Sequence, residues 1–231
     1  MTAKNYAEHI QRRAKKDCDW SRAWAAEQSV VLGQVRTAEK SNEITVIPEL
    51  LAVLELSGAI VTIDAMGCQK AIAGQIRDQE ADYVLALKGN QGNLHRAVAD
   101  YFDWAERQNW HALTVSTGHS LEKGHGRIEQ RRVLVTQDID WIVEKQQWRG
   151  LRSIVMVESE REIIGGGKST ERRFFISSLE ANANQIAAAV RGHWAIENQL
   201  HWSPVFAFTK MRVGLVRGRR RRTWRSCDIL G

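Results

Sequence analysis

At 231 residues, 43% hydrophobic and 26% charged, the chain can bury a sizeable core as one domain with an insertion or as two small domains. No stretch approaches the ~20 apolar residues of a membrane span, and the polar N-terminus lacks a signal peptide's apolar centre. Three scattered cysteines without CxxC spacing speak against a disulfide framework or a zinc site and for a reducing cytoplasm. The net charge of +6 suggests a nucleic-acid partner, but residues 203–231 hold eight Lys and Arg against one Asp, which leaves residues 1–202 at −1. A phosphate-binding surface in the body would therefore be a local patch.

Residues 1–20 are basic and carry no helix or strand period. Val30–Thr37 reads as a strand, and Ser41-Asn-Glu43 offers a helix start, with Pro48 in the first turns before Glu49–Leu56. Ala59-Ile-Val-Thr-Ile63 is a short apolar run rich in β-branched residues, the pattern of a strand buried on both faces. It delivers the carboxylate of Asp64 at its end. A buried carboxylate needs a partner, hydrogen bonds or a metal; the alternative is an Asp that caps the following helix. A helix from Gln69 to Gln79, a strand at Tyr83–Leu87, a turn at Lys88–Gly92 and a helix over Leu94–Arg107 follow. This alternation predicts an α/β layer with the Asp64 strand near its centre.

From His111 to Leu179 the pattern turns β-rich, with strands at Arg127–Thr136, Ser153–Glu160 and Arg172–Ser177 and a glycine turn at 165–167. The clearest helix then runs from Asn184 to about Trp202, with Ile186, Ala189, Val190, His193, Trp194 and Glu197 near one side. A Glu on the apolar side of a helix is unusual, since the solvent face holds it without cost. Asp64 and Glu197 together form a carboxylate pair suited to Mg²⁺ or Mn²⁺ rather than zinc. The spacing of His193, Glu197 and His201 is not that of a zinc protease, and the two histidines suit DNA contact or the helix interface.

Six segments carry a resemblance in register: Val31-Leu-Gly-Gln34, Glu39-Lys-Ser-Asn-Glu-Ile44, Val61-Thr-Ile-Asp-Ala-Met-Gly-Cys-Gln69, Tyr83-Val-Leu-Ala-Leu-Lys-Gly-Asn-Gln91, His125-Gly-Arg-Ile-Glu129 and His193-Trp-Ala-Ile-Glu-Asn198. Over residues 22–202 the chain resembles the H-repeat-associated insertion-sequence transposases of the DDE class. The resemblance implies an RNase H-like mixed sheet flanked by helices, with a β-rich insertion (about 111–178) before the last catalytic helix. It also implies DNA cleavage and strand transfer by three acids and two Mg²⁺ or Mn²⁺ ions, Asp64 being the second acid and Glu197 the third. Lys88, Asn90, Gln91, Arg127, Arg131, His193 and Asn198 are the implied DNA-binding residues. The loop at Lys88 also suits a plain polar turn, and Arg127, Arg131 and Arg132 a solvated strand face. The implied partners are the element's terminal inverted repeats and target DNA, with a homodimer on DNA, no membrane, and a bacterial cytoplasmic, nucleoid-associated setting.

Two departures qualify the resemblance. Family members carry the first acid on an early strand in an Asp-Gly-Lys context. Nothing ahead of Arg22-Ala-Trp24 matches it, and neither Asp17 nor Asp19 has the right neighbours, so the first, central strand is expected to be missing. After Trp202 the family text also stops. Read one base back, the codons of Phe208-Thr-Lys-Met-Arg212 permit Phe, His, Glu, Asp, Ala, and those of Thr223-Trp-Arg-Ser-Cys-Asp-Ile229 permit Met, Ala, Val, Leu, Arg, His. The expected organisation is a non-family segment 1–20, a catalytic domain 21–202 and an out-of-frame basic tail 203–231. The function expected is that of a DDE transposase in a degenerate, inactive copy. The alternatives are a DNA-binding remnant using the Arg tail or a metal-dependent nuclease.

Overall fold

A computed structural model describes residues 19–25, 30–37, 43–110, 113–124, 126–199 and 205–210, with side chains for 46–110, 113–124 and 126–194. In chain order these form β1 (Asp19–Ala25), β2 (Val30–Thr37), α1 (Glu43–Val53), β3 (Ala59–Ile63), α2 (Lys70–Asp78), β4 (Asp82–Leu87) and α3 (Gly92–Arg107). Then come β5 (Val115–Gly124), β6 (Arg127–Thr136), β7 (Ser153–Ile163), β8 (Lys168–Ser177), α4 (Ala183–Gln199) and β9 (Val205–Lys210). The strands join one mixed sheet in the order β2-β1-β9-β3-β4-β8-β7-β6-β5. β3 pairs parallel with β4, as a strand–helix–strand crossover requires, and β4 pairs antiparallel with β8.

β3 lies inside this sheet, as its apolar run predicts, and every residue from Ala59 to Ile63 is buried. Alternation then sorts its side chains between two cores. Val61 and Ile63 join α1, α2 and α3 on one face with Ile47, Ile72, Ile76, Val98 and Phe102. Ile60 turns to the other face with Val84, Val155, Phe175 and the α4 residues Ile186, Ala189 and Val190. Pro48 sits inside α1. Its carbonyl accepts from Gln75 Nε2 at 2.8 Å, which ties α1 to α2.

The β-rich block is continuous with the α/β layer. β8 pairs with β4 from Val84↔Ser177 to Leu87↔Phe174, so β5–β8 extend the same sheet. Hydroxyls close the joint: Ser177 Oγ donates to the Tyr83 carbonyl at 2.7 Å, and Ser153 Oγ donates to the Leu179 carbonyl at 2.8 Å. β6, β7 and β8 are each buried at one end and exposed at the other. Ser153–Val157 of β7 are buried and Arg161–Ile163 exposed, so the outer halves project as a polar ribbon.

Three findings differ from the expectations. β1 is a strand for which no element is expected, paired antiparallel with β2. β5 is a ten-residue strand on the sheet edge that is not among the strands expected in the β-rich block, its sequence being polar. The place between β1 and β3 is held by β9, from the segment expected to lie out of frame.

Candidate functional site

Asp64 leaves the carboxyl end of β3 and is exposed, which corrects the expectation of a buried carboxylate. Its backbone stays extended (φ −67°, ψ 178°), and its side chain caps a single 3₁₀ turn over Ala65–Gly67. Oδ1 accepts from Met66 N at 3.2 Å and from Gly67 N at 3.4 Å. Asp64 thus caps this short turn rather than the following helix, whose N-cap is Gln69, and the cap occupies only one oxygen; among the described residues Oδ2 has no hydrogen bond. Gly67 makes the tight turn possible. A Cβ there would overlap Ile63 Cγ2 and come within 2.8 Å of Ile47 Cδ1.

The turn after β4 is strapped to this one. Asn90 Nδ2 donates to the Ala65 carbonyl, and Gln91 Nε2 donates to the Cys68 carbonyl at 2.9 Å. Two of the residues expected to contact DNA thus spend their amide donors on the Asp64 turn. Lys88 is exposed beside them. Its charge adds to the hydrogen bond and charge of Arg173 in holding the Glu171 carboxyl below the usual range. Beneath the turn, burial pushes the Cys68 thiol up to about 12, and the negative charge of Asp64 adds to the rise.

α4 crosses the face opposite the first three helices, from Ser116 on β5, whose Oγ accepts from Ala183 N at 3.0 Å, to Thr62 on β3. Thr62 Oγ1 lies 3.3 Å from His193 Nδ1, only two residues before Asp64. His193 is half-buried in the helix–sheet interface, the alternative kept open for it. Glu197 follows one helical turn later within α4; its side chain and those of Asn198 and His201 lie outside the described residues. Trp194 has two guanidiniums over its ring, Arg131 at 5.5 Å and Arg173 at 4.9 Å from the centroid.

The arginines of the β-rich block divide sharply. Arg131, 14% exposed, pairs with Glu122 at 2.9 Å and Glu129 at 2.8 Å. Arg132 pairs with Glu106 and Glu158, and Arg172 with Asp103, Glu106 and Glu158, so the ribbon is bolted to α3. These side chains serve the fold. Arg127 alone of the three nominated arginines is exposed at the ribbon's end, with no ion pair among the described residues. The sequence reading missed Trp194's two cations and the Arg132–Glu158–Arg172–Glu106 network. Both join residues far apart in the chain, and no local pattern announces them.

Among the described residues no three His, Cys, Asp or Glu side chains gather as metal ligands. Asp64 offers an open carboxylate oxygen, the donor chemistry of a hard cation, and needs a second ligand from elsewhere. No helix among the described residues is long and apolar enough to cross a membrane.

Comparison with known proteins places these features in context. Residues 22–223 match the family model for a transposase DDE domain. Over 184 residues the chain is 42% identical to a protein of Escherichia coli (strain K12) provisionally named H repeat-associated transposase YhhI, covering 78% of this chain and 48% of that protein. It is 45% identical over 184 residues to a protein of Escherichia coli O157:H7 provisionally named transposase YncI, covering 78% and 46%. It is also 46% identical over 160 residues to an uncharacterised protein of the dhlA 3′ region of Xanthobacter autotrophicus, covering 69% and 52%. The chain spans about half the length of the curated relatives it matches. No solved structure matches.

Proposed function

Because the chain belongs to the transposase DDE domain family, we propose that it is the catalytic portion of an insertion-sequence transposase with an RNase H-like core. Asp64 and Glu197 are its second and third acids, and Mg²⁺ or Mn²⁺ is its cofactor. The observation that carries this reading is the exposed carboxylate of Asp64 at the carboxyl end of an interior strand, with one oxygen left open by its cap. Strand ends of open α/β sheets are where ligands are reached.

When bound, the cations supply Lewis acidity toward a phosphodiester and help generate the nucleophile. Asp64 would hold a cation through Oδ2, while its Oδ1 stays with the Met66 and Gly67 amides and keeps the side chain from swinging. Asn90 and Gln91 fix the turn that aims it. Water attacks phosphorus at the element end, the bond to the 3′ oxygen breaks, and that oxygen takes up a proton. The freed 3′ hydroxyl then attacks a target phosphorus and displaces the target's own 3′ oxygen. Lys88 and Arg127, both exposed, are placed in this reading against backbone phosphates; the DNA partners are the terminal inverted repeats and target DNA, held by a homodimer.

In our reading this chain by itself does not cleave DNA: none of its residues stands in the Asp-Gly-Lys context of the first acid, and two carboxylates hold cations less well than three. Residues 203–231 arise from the loss of one base just after Trp202, supported by the family-like text in the shifted frame; the family match itself runs on to Thr223. Restoring one base near codon 203 in the gene is expected to reopen a family-like frame, and a gene without such a frame excludes the shift. Purified chain incubated with Mn²⁺ and element-end DNA is expected to give no cleavage. Robust cutting that disappears in Asp64→Ala would overturn inactivity while supporting the site.

The +7 charge of residues 203–231 supports a second reading, a non-catalytic DNA binder. Mobility shifts with and without residues 211–231, a truncation that leaves β9 in place and removes seven of the eight cations, decide it: a tail-driven binder loses affinity steeply as salt rises, and a shift indifferent to the truncation excludes it.

A further inference from the structure

We propose that the gap between β1 and β3 is a strand-acceptor slot, which this chain fills with its own segment Val205–Lys210. The proposal does not depend on the catalytic reading. Among the described strands, β1 pairs only with β2 and β9, and β3 only with β4 and β9. β9 therefore carries the whole connection: without it the sheet falls into β2-β1 on one side and β3-β4-β8-β7-β6-β5 on the other.

The two ladders differ in sense. β9 runs parallel to β1, from Arg22↔Val205 to Ala25↔Phe208. It runs antiparallel to β3, from Ala59↔Lys210 to Thr62↔Ala207. β1 and β3 run in opposite directions, so any strand between them is parallel to one wall and antiparallel to the other; what such a strand must bring is backbone hydrogen-bonding capacity and β-propensity. Val-Phe-Ala-Phe-Thr-Lys supplies both, with two aromatics, two β-branched residues and no glycine or proline. An empty slot would strand a row of N–H and C=O groups on β3, whose residues are all buried. The ligand class is thus an extended peptide segment, and its recognition is β-augmentation.

Continuing the register of β9 past Thr62↔Ala207 brings Val205 level with Asp64. The segment that completes the sheet thus brings an apolar residue, not a carboxylate, to the position beside Asp64. Filling the slot and equipping the site are separable, and in this chain β9 does only the first.

Ala207 sits in both ladders, opposite Trp24 and Thr62, and proline there removes an amide and disfavours a central strand. Hydrogen exchange by mass spectrometry is therefore measured on the full chain and on Ala207→Pro. In the variant, the amides of β1 and β2 are expected to exchange about 100-fold faster or more, the change from sheet protection to local opening. Those of β7 and β8 are expected to keep their protection. A synthetic peptide of residues 203–211, added in trans to the variant, is expected to restore slow exchange in β1 and β2. Unchanged protection of β1 and β2 would overturn the proposal, as would loss of protection throughout the chain or failure of the peptide to restore it.

Discussion

Replacing Trp194 by leucine tests whether the two guanidiniums hold α4 to the sheet. The ring has Arg131 at 5.5 Å and Arg173 at 4.9 Å from its centroid, both within the ~6 Å reach of a cation–π contact. Each such contact contributes about 0.5–2 kcal/mol, rising with desolvation. Arg131 is 14% exposed and Arg173 44% exposed, so Arg131 belongs near the upper end and Arg173 near the lower. Leucine keeps apolar contact with the neighbouring Val190 face but has no π surface. Trp194→Leu is therefore expected to cost about 2–3 kcal/mol in urea unfolding followed by circular dichroism, with some contribution from lost ring area. The cycle with Arg173→Gln separates the two causes, because the loss of Arg173's ion pair to Glu171 (2.8 Å) occurs in both backgrounds and cancels. A coupling of about 0.5–1 kcal/mol is expected. A coupling below about 0.3 kcal/mol, within ordinary additivity, would show that Arg173 does not hold Trp194.

Three further outcomes are expected. The hydrogen bond and charge of Arg172, with help from Arg132, hold the Glu106 carboxyl below its usual range. Its contribution to stability is therefore present at neutral pH and is lost as pH falls through and below about 4; Glu106→Gln should flatten the acid limb of the stability curve, and an unchanged limb would remove Glu106 from the ion network's account. Cys68, fully buried with its thiol pushed up to about 12, should resist iodoacetamide at pH 8 in a Cys18→Ser/Cys227→Ser background until the protein unfolds. Asp64→Asn removes a charge that raises the thiol, but burial is the larger cause, so labelling in the folded state should stay slow. Gln91→Ala removes the strap to the Cys68 carbonyl and should cost about 1 kcal/mol, whereas Lys88→Ala on the exposed surface should stay within about 0.5 kcal/mol; thermal melts of both variants compare them directly.

How far the sequence reveals this molecule depends on whether an element is made by its own residues or by its neighbours. β3 is legible because burial on both faces leaves five consecutive apolar or β-branched residues. α3 and α4 are legible because a helix packed on one side must repeat its apolar residues at helical spacing, as Leu94, Val98, Phe102 and Ala105 do. β5 is not, because an edge strand with Gly118, His119, Ser120, Glu122 and Lys123 has no face requiring an apolar pattern. β1 is a strand because β2 and β9 flank it.

The candidate site divides in the same way. The motif around Asp64 is readable in one dimension because cap, turn and glycine fall within four residues. Asp64 is exposed because the apolar run ends one residue earlier, and a side chain just past a strand's end belongs to the loop layer rather than the core. The arginines go the other way. Arg131 looks like a free surface cation in a polar segment, yet Glu122 and Glu129 lie next to it only once β5 and β6 form a hairpin, and Trp194 arrives from a helix beyond β8. Charge counted along a chain therefore overstates what remains for a nucleic acid. Of the nominated cations, Lys88 and Arg127 are the ones still exposed after folding, and they are the pair whose neutralisation should lower the salt dependence of DNA binding if the body of the domain, rather than its tail, holds phosphate.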